Sequence, residues 1–371
     1  MAQTALPKRQ ESRAGRNRKK RKKKFGFFRF VYRTVILFLI LGIIGVCWLF
    51  FTKSGENFRY LAADTLITTQ HRQWAKYVIG EDELKKRVAE YTQQFEQMGT
   101  EKDTHTISIP TPVKAEHKPL VQIEEISGAS YHGYIMTVND PTKIRLGVPA
   151  KAGKGEKVSS MVNRLGAIAG VNAGGFDDPN WKGNGFKPIG VVISQGKLYY
   201  NGLGSSASTQ IVGIDKQGKM IAGHYSLKEL SEMNVQEAVT FQPRIIVNGK
   251  GQIKNHKDGW GIAPRTAMGQ RADGAILFVV IDGRQPGYSI GADLYDVQNI
   301  MLKHGAVIAA NLDGGSSTVL VKDGSILNKP SSQYGERYLP TAFLVFDHPE
   351  NVKVPNVWQG LNPKDIDGGK K

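Results

Sequence analysis

The chain has 371 residues, 40% of them hydrophobic, and a formal net charge of +17. That gives room for one large domain or two ordinary ones, with enough apolar content for a core. The charge does not mark a nucleic-acid binder: residues 1–34 hold 13 Lys/Arg against one acid, Glu11, leaving only +5 on the other 337 residues.

The basic run Arg16-Asn17-Arg18-Lys19-Lys20-Arg21-Lys22-Lys23-Lys24 comes first, and 17 consecutive apolar or glycine residues follow from Val35 to Phe51. A basic run alone reads as a nuclear-localisation or nucleic-acid patch. The apolar stretch changes that reading. Its length is at the short end for a bilayer span and long for a signal-peptide core. Val31 and Tyr32 extend it, and Tyr32 and Trp48 sit where interfacial aromatics belong. We expect residues 1–30 to be a basic cytoplasmic tail and 31–51 an uncleaved transmembrane helix, with everything after it outside the cytoplasm. A cleaved signal peptide is the rival reading. No small-x-small site follows Phe51 at once, and Leu61-Ala62-Ala63 is late for cleavage. Cys47, the single cysteine, lies in the apolar stretch, so the outer part has no disulfide and no thiol nucleophile.

Residues 52–119 read as a helical stalk and linker. Leu84, Val88, Tyr91 and Phe95 fall on one helical face, for a stalk helix that packs on a neighbour or on itself, or for a dimerising coiled coil. Pro110, Pro112 and Pro119 then suggest a spacer. From Leu120 the pattern becomes short strands and turns. Val121–Ile126, Tyr131–Val138, Ala167–Asn172, Ile189–Ile193, Leu198–Tyr200 and Ile211–Ile214 are expected strands. Ile276–Ile281, Val307–Leu312, Thr318–Val321 and Leu339–Phe346 complete them, with turns such as Gln195-Gly196, Gln217-Gly218, Asn248-Gly249 and Asp273-Gly274. Ser159–Leu165 and Leu294–Lys303 read as helices stopped at Gly166 and Gly305. Many strands and few helices imply an α+β domain over 120–348 with a mixed central sheet. Residues 349–371 look like a loose tail ending in Lys370-Lys371.

Asn311-Leu312-Asp313-Gly314-Gly315-Ser316-Ser317 is the most informative stretch. An apolar strand reaches a carboxylate, two glycines that bring a ligand near the main chain, and two hydroxyls. That arrangement suits sugar or phosphate chemistry; a plain Asp-Gly hairpin is the alternative. Three further stretches are Gly170-Val171-Asn172-Ala173-Gly174-Gly175-Phe176, Pro264-Arg265-Thr266-Ala267-Met268-Gly269 and Val279-Val280-Ile281-Asp282-Gly283-Arg284. In order and spacing the four resemble the phosphodiester glycosidase family, over roughly Val158 to Phe346. The resemblance implies removal of an α-linked sugar such as N-acetylglucosamine from a phosphodiester.

Read as chemistry, Asp313 and Asp282 are the candidate catalytic carboxylates, since glycosidic cleavage commonly uses two. Each can also be a turn residue bonding its own backbone. Arg265 and Arg284 are candidate phosphate clamps, because guanidinium pairs with phosphate oxygens. Arg337, in Gly335-Glu336-Arg337, joins them through the family resemblance alone. Any of the three can be a structural ion pair instead. Asn172 and Asn311 offer bonds to sugar hydroxyls or an acetamido group. Gly174, Gly175, Gly314 and Gly315 allow close approach, and Phe176 offers a stacking face. Ser316 and Ser317 are expected to bind ligand rather than attack it. They lack the Gly-x-Ser-x-Gly elbow, and neither His256 nor His304 has the surroundings of a base. Asn328 with Pro330-Ser331 reads as a rim turn. No cofactor and no dedicated metal site is expected; Asp177-Asp178 lacks EF-hand spacing.

The expected function is extracytoplasmic hydrolysis of a sugar-1-phosphodiester in a surface glycan or exopolysaccharide, with no nucleic-acid partner. A glycan-binding module that uses the same pocket without turnover is the alternative.

Overall fold

A computed structural model describes residues 14–69, 71–108, 118–179, 183–203 and 208–369, with side chains from residue 26 onward. The start of the basic tail, Pro110, Pro112 and Lys370-Lys371 lie outside the described residues or side chains. The chain divides into two compact units, 1–60 and 61–371. The first holds the helix Ala14–Phe51. Its apolar part, Gly26–Phe51, is 26 residues long with nothing buried, which by length and composition suits a membrane span and a signal sequence alike.

The second unit is α+β, as its alternating strands and turns suggest. A seven-stranded sheet runs in the order Val121–Ser127, His132–Val138, Ile276–Ile281, Arg265–Arg271, Ala306–Leu312, Arg244–Val247, Lys250–Gly251. Two five-stranded sheets accompany it. One centres on Ala169–Asn172, between Leu320–Lys322 and Ala342–Val345; the other centres on Val235–Thr240, between Val191–Ser194 and Ser208–Asp215. A mixed central sheet was expected, but the strand pairs among the described residues are antiparallel. The helix Leu294–Lys303 is a crossover that skips a place. It carries the chain from Ile281 to Ala306 with the strand Arg265–Arg271 between them, so the two strands it joins both run antiparallel to the middle one.

Ile276–Ile281 is apolar at every position because both its faces are covered. Phe278 and Val280 point to a core shared with Leu146, Val171, Phe343, Val212 and Val239 of the other two sheets. Leu277, Val279 and Ile281 point to a second core with Val297 and Met301 of the crossover helix.

The helix Glu81–Thr100 enters the same second core through Leu84, Tyr91 and Met98, so the face expected to serve a stalk or a coiled coil is spent on this chain's own sheet. Phe95 and Tyr91 pack edge-on against Trp260, with ring centroids 4.8 and 6.0 Å away. The buried Arg244 guanidinium caps the end of this helix, donating to the carbonyls of Met98 at 3.0 Å and Glu101 at 2.8 Å. That satisfies carbonyls the last turn leaves unpaired. The C-terminal segment is not loose either. Val354, Trp358 and Ile366 are buried, and Trp358 Nε1 donates to the Phe186 carbonyl at 2.9 Å.

Candidate functional site

The ends of three central strands meet at one end of the seven-stranded sheet. Arg265 pairs with Ile281 and Thr266 with Leu312, so residues 265, 282 and 313 leave the sheet side by side. Asn172 ends a strand of the neighbouring sheet and ties the two sheets together. Its Oδ1 accepts from Thr266 Oγ1 at 2.8 Å and from Val319 N at 3.0 Å, and its Nδ2 donates to the Asp313 carbonyl. The Asn311–Ser317 stretch is therefore no hairpin. It passes from the strand Ala306–Leu312 in one sheet to Leu320–Lys322 in another, through a short 3₁₀ turn at Gly315–Ser317.

Asp313 stands at that passage. Its main chain is pinned by a bond from its N–H to the Ala173 carbonyl at 3.0 Å. Its Oδ2 is buried and accepts no hydrogen bond among the described residues. Burial pushes its pKa up to about 6, and the nearby Asp178 adds to the rise; the Ser317 hydroxyl, the Arg337 charge and the Gly314 N–H act against it. Arg337 Nη1 donates to Asp178 Oδ2 at 2.7 Å and to Ser316 Oγ at 3.3 Å, and its guanidinium lies over the Phe176 ring at 5.0 Å. Asp178 is itself buried and accepts from Gly183 N at 2.6 Å. Asn311, two residues before Asp313 on the same strand, has a buried Oδ1 with no partner among the described residues; its Nδ2 donates to the Gln242 carbonyl at 3.2 Å.

Arg284 is the least engaged cation here. Its guanidinium forms no hydrogen bond or ion pair among the described residues, and its Nη2 lies 3.2 Å from where a Cβ on Gly315 would sit. Gly315 has φ +60, and its missing side chain leaves that space to the guanidinium.

Several expected ligands are turned inward. Both Asp282 oxygens are occupied: Oδ1 accepts from Asn328 Nδ2 at 2.9 Å and Lys329 N at 3.0 Å, and Oδ2 from Tyr288 OH at 3.0 Å. Burial raises its pKa, and these donors oppose the rise. It clamps the 282–289 hairpin to the 328–329 turn. Arg265 donates to the carbonyls of Ala292, Trp260 and Gly261 at 3.1, 3.1 and 2.7 Å, and burial lowers its pKa to about 10. It braces the main chain and faces no open space. Gly174 and Gly175 serve close packing, since a Cβ on them would meet Val239 at 2.8 Å and Phe241 at 3.1 Å. Gly314 likewise passes against the Pro264 carbonyl, 2.9 Å from a Cβ there. Phe176 is a platform for Arg337.

Asp178 is the residue the sequence reading missed as a site member. Its one signal was position, two residues past Phe176 in a motif already singled out.

His256, Asp293 and Asp296 are the grouping of possible metal ligands among the described residues, with ligand atoms within 4.8 Å of one another. Their bonds explain them without an ion. Asp293 caps the helix Leu294–Lys303 by accepting from Asp296 N at 2.8 Å and pairs with His256 Nδ1 at 2.8 Å.

Comparisons with known proteins bear on the family and the fold. Residues 165–346 match the family model described as phosphodiester glycosidase. The SPbeta prophage-derived uncharacterized protein YomE of Bacillus subtilis (strain 168) is 28% identical over 199 residues, which is 52% of this chain and 29% of that protein. The N-acetylglucosamine-1-phosphodiester alpha-N-acetylglucosaminidase of Bos taurus is 34% identical over 70 residues, 19% of this chain and 13% of that one. The chain thus spans under a third of either curated relative. The fold is that of the zebrafish N-acetylglucosamine-1-phosphodiester alpha-N-acetylglucosaminidase catalytic domain, auto-inhibited by its pro-peptide, at TM-score 0.55 and 22% identity over 67% of this chain and 89% of that one. Residues 165–346 of this chain are thus similar to the phosphodiester glycosidase family.

Proposed function

We propose that the second unit hydrolyses the bond between a sugar's anomeric carbon and a phosphate. One observation carries this reading: a buried carboxylate oxygen on Asp313 lacks a partner, with its pKa pushed up to about 6, and two residues on, Gly315 meets the unengaged guanidinium of Arg284. In this reading the carboxylate would meet the anomeric centre and the guanidinium the diester oxygens. A phosphodiester leaves with little need of a proton, so one carboxylate near neutrality suffices as nucleophile or as base for water. Fixed cations close to the diester stabilise the charge that builds on the departing phosphate. Arg337, held by Asp178 and Ser316, supplies a second. Asn311 Oδ1, buried and without a partner among the described residues, would accept from a sugar hydroxyl or amide N–H.

We place the reaction outside the cytoplasm on a surface glycan. The apolar helix Gly26–Phe51 would anchor the protein, with the basic residues before it on the cytoplasmic side. The test is sugar release from N-acetylglucosamine α-1-phosphodiesters by the purified chain, with Asp313→Asn as control. Release abolished by the substitution supports the reading. Release that survives it in a folded variant overturns the role of Asp313. Binding of these sugars without any release would leave the protein as a glycan-binding module.

A further inference from the structure

Contacts lead from the site to two aromatic rings that carry three lysines, Tyr288 with Lys329 and Tyr338 with Lys154 and Lys157. On one side Lys329 Nζ lies 3.8 Å from the centroid of Tyr288. Tyr288 is bonded to Asp282, and Arg284 follows two residues later and rests on Gly315. On the other side Ser316 meets Arg337, and the next residue, Tyr338, carries Lys154 at 3.7 Å and Lys157 at 5.7 Å from its ring centroid. None of these three lysines forms an ion pair among the described residues. The acids nearby are already committed: Glu156 to Arg164 at 2.8 Å, Asp177 to Lys187 at 3.4 Å, Asp178 to Arg337 at 2.7 Å, and Asp282, whose charge Lys329 also feels, to Asn328, Tyr288 and the Lys329 N–H.

In contact order this is a row of lysines without ion pairs among the described residues, tied to the segments that carry Arg284 and Arg337. One phosphodiester occupies two guanidinia at most. Lys154, Lys157 and Lys329 lie beyond that need. Each is also steadied over an aromatic ring, which limits the freedom it loses when it meets an anion. A neutral glycan gives such a row nothing to bind.

We propose that Lys154, Lys157 and Lys329 form a track for a polyanionic aglycone, a chain of repeated phosphodiesters, whose sugar-1-phosphodiester is presented to Asp313. This rests on the reading of the site given above and names its substrate class.

The experiment measures binding without turnover, using the full chain in detergent. The probe is synthetic poly(glycerol phosphate), compared with dextran and with oligothymidylate of equal phosphate number, over a salt series. The protein is compared with its Lys154→Gln/Lys157→Gln/Lys329→Gln variant and the matching triple Lys→Arg variant. The basic N-terminal tail is common to all three and cancels. Tight binding of poly(glycerol phosphate) is expected. The Gln variant should lower the slope of log K against log salt by about two, at ~0.7 per phosphate contact on a flexible polyanion, and the Arg variant should restore it. An unchanged slope in the Gln variant overturns the track. So does polymer binding no tighter than dextran, and so does oligothymidylate bound equally well through the same lysines. Lysine-dependent polymer binding without sugar release would sink the hydrolase reading and leave the track standing.

Discussion

The side-chain N–H of Asn172 donates to the main-chain carbonyl of Asp313, and this contact crosses from one sheet to another. The same carboxamide accepts from Thr266 and Val319, so it fixes three segments at the point where the candidate nucleophile stands. Asn172 is a positioning residue. Asn172→Asp sets a carboxylate oxygen against the Asp313 carbonyl in a fully buried spot. Loss of the bond and its unpaired partners should cost about 1–3 kcal/mol each. Urea denaturation checks this, and kcat should fall more than KM rises, because the carboxylate moves while the arginines stay.

Arg265 and Arg284 look alike in sequence and behave differently in the fold. Arg265→Ala strands three buried carbonyls, so we expect about 3 kcal/mol or more of lost stability. Arg284→Gln breaks no protein contact, so stability should stay within about 0.5 kcal/mol. Its loss should appear as about a 10- to 100-fold drop in kcat/KM, the worth of a charged hydrogen bond to the diester. Thermal melts and steady-state kinetics on both variants separate the roles. A folded, fully active Arg284→Gln would remove it from the site.

The helices ahead of the sheets are fastened by a two-pronged ion pair. Arg87 Nε donates to Asp64 Oδ1 at 2.7 Å and Arg87 Nη2 to Oδ2 at 2.6 Å, with both side chains mostly buried. Removing one partner leaves a buried charge, so Asp64→Ala should cost about 3–5 kcal/mol. Replacing both residues by apolar ones of similar size should cost much less. The comparison is read by denaturation of the two variants, and a loss near zero for Asp64→Ala would mean these helices are not part of the cooperative unit.

Periodicity carried much of this fold. Ile276–Ile281 and Leu294–Lys303 have the bounds their patterns predict, because a strand covered on both faces and an amphipathic helix each leave a local signature. The partner of an apolar face leaves none. The stripe Leu84, Val88, Tyr91, Phe95 was legible, but its docking on Trp260 depends on residues some 170 positions away. Val354, Trp358 and Ile366 are too sparse to make a pattern, so the C-terminal segment read as loose. The site was legible to the same depth. Strand-end motifs single out Asp313, Arg284 and Asn311, which the fold leaves with polar groups unpartnered among the described residues. Sequence could not tell an Asp with an open oxygen from Asp282, whose oxygens are filled by Asn328, Lys329 and Tyr288 from outside its motif.

The raised pKa of Asp313 gives the sharpest test of the site. A carboxylate that attacks or activates water must be ionised, so kcat/KM should climb through a pKa of about 6 and level off above it. The neighbours should move that midpoint in opposite directions. Asp178→Asn removes a like charge and frees Arg337, so the midpoint falls; Ser317→Ala removes a donor to the ionised form, so it rises. The same shift fixes the pH dependence of stability. The folded pKa lies above the unfolded one, so the carboxyl's stabilising contribution is full below the ordinary Asp value of 3.8 and is lost as pH rises through about 6. At pH near 8 the folded protein therefore bears the cost of a buried charge, and Asp313→Asn should be the more stable protein there while inactive. Melting curves at acid and alkaline pH, with a carboxyl-carbon NMR titration of Asp313, check both signs. A midpoint that ignores both Asp178→Asn and Ser317→Ala would show that another group governs the reaction.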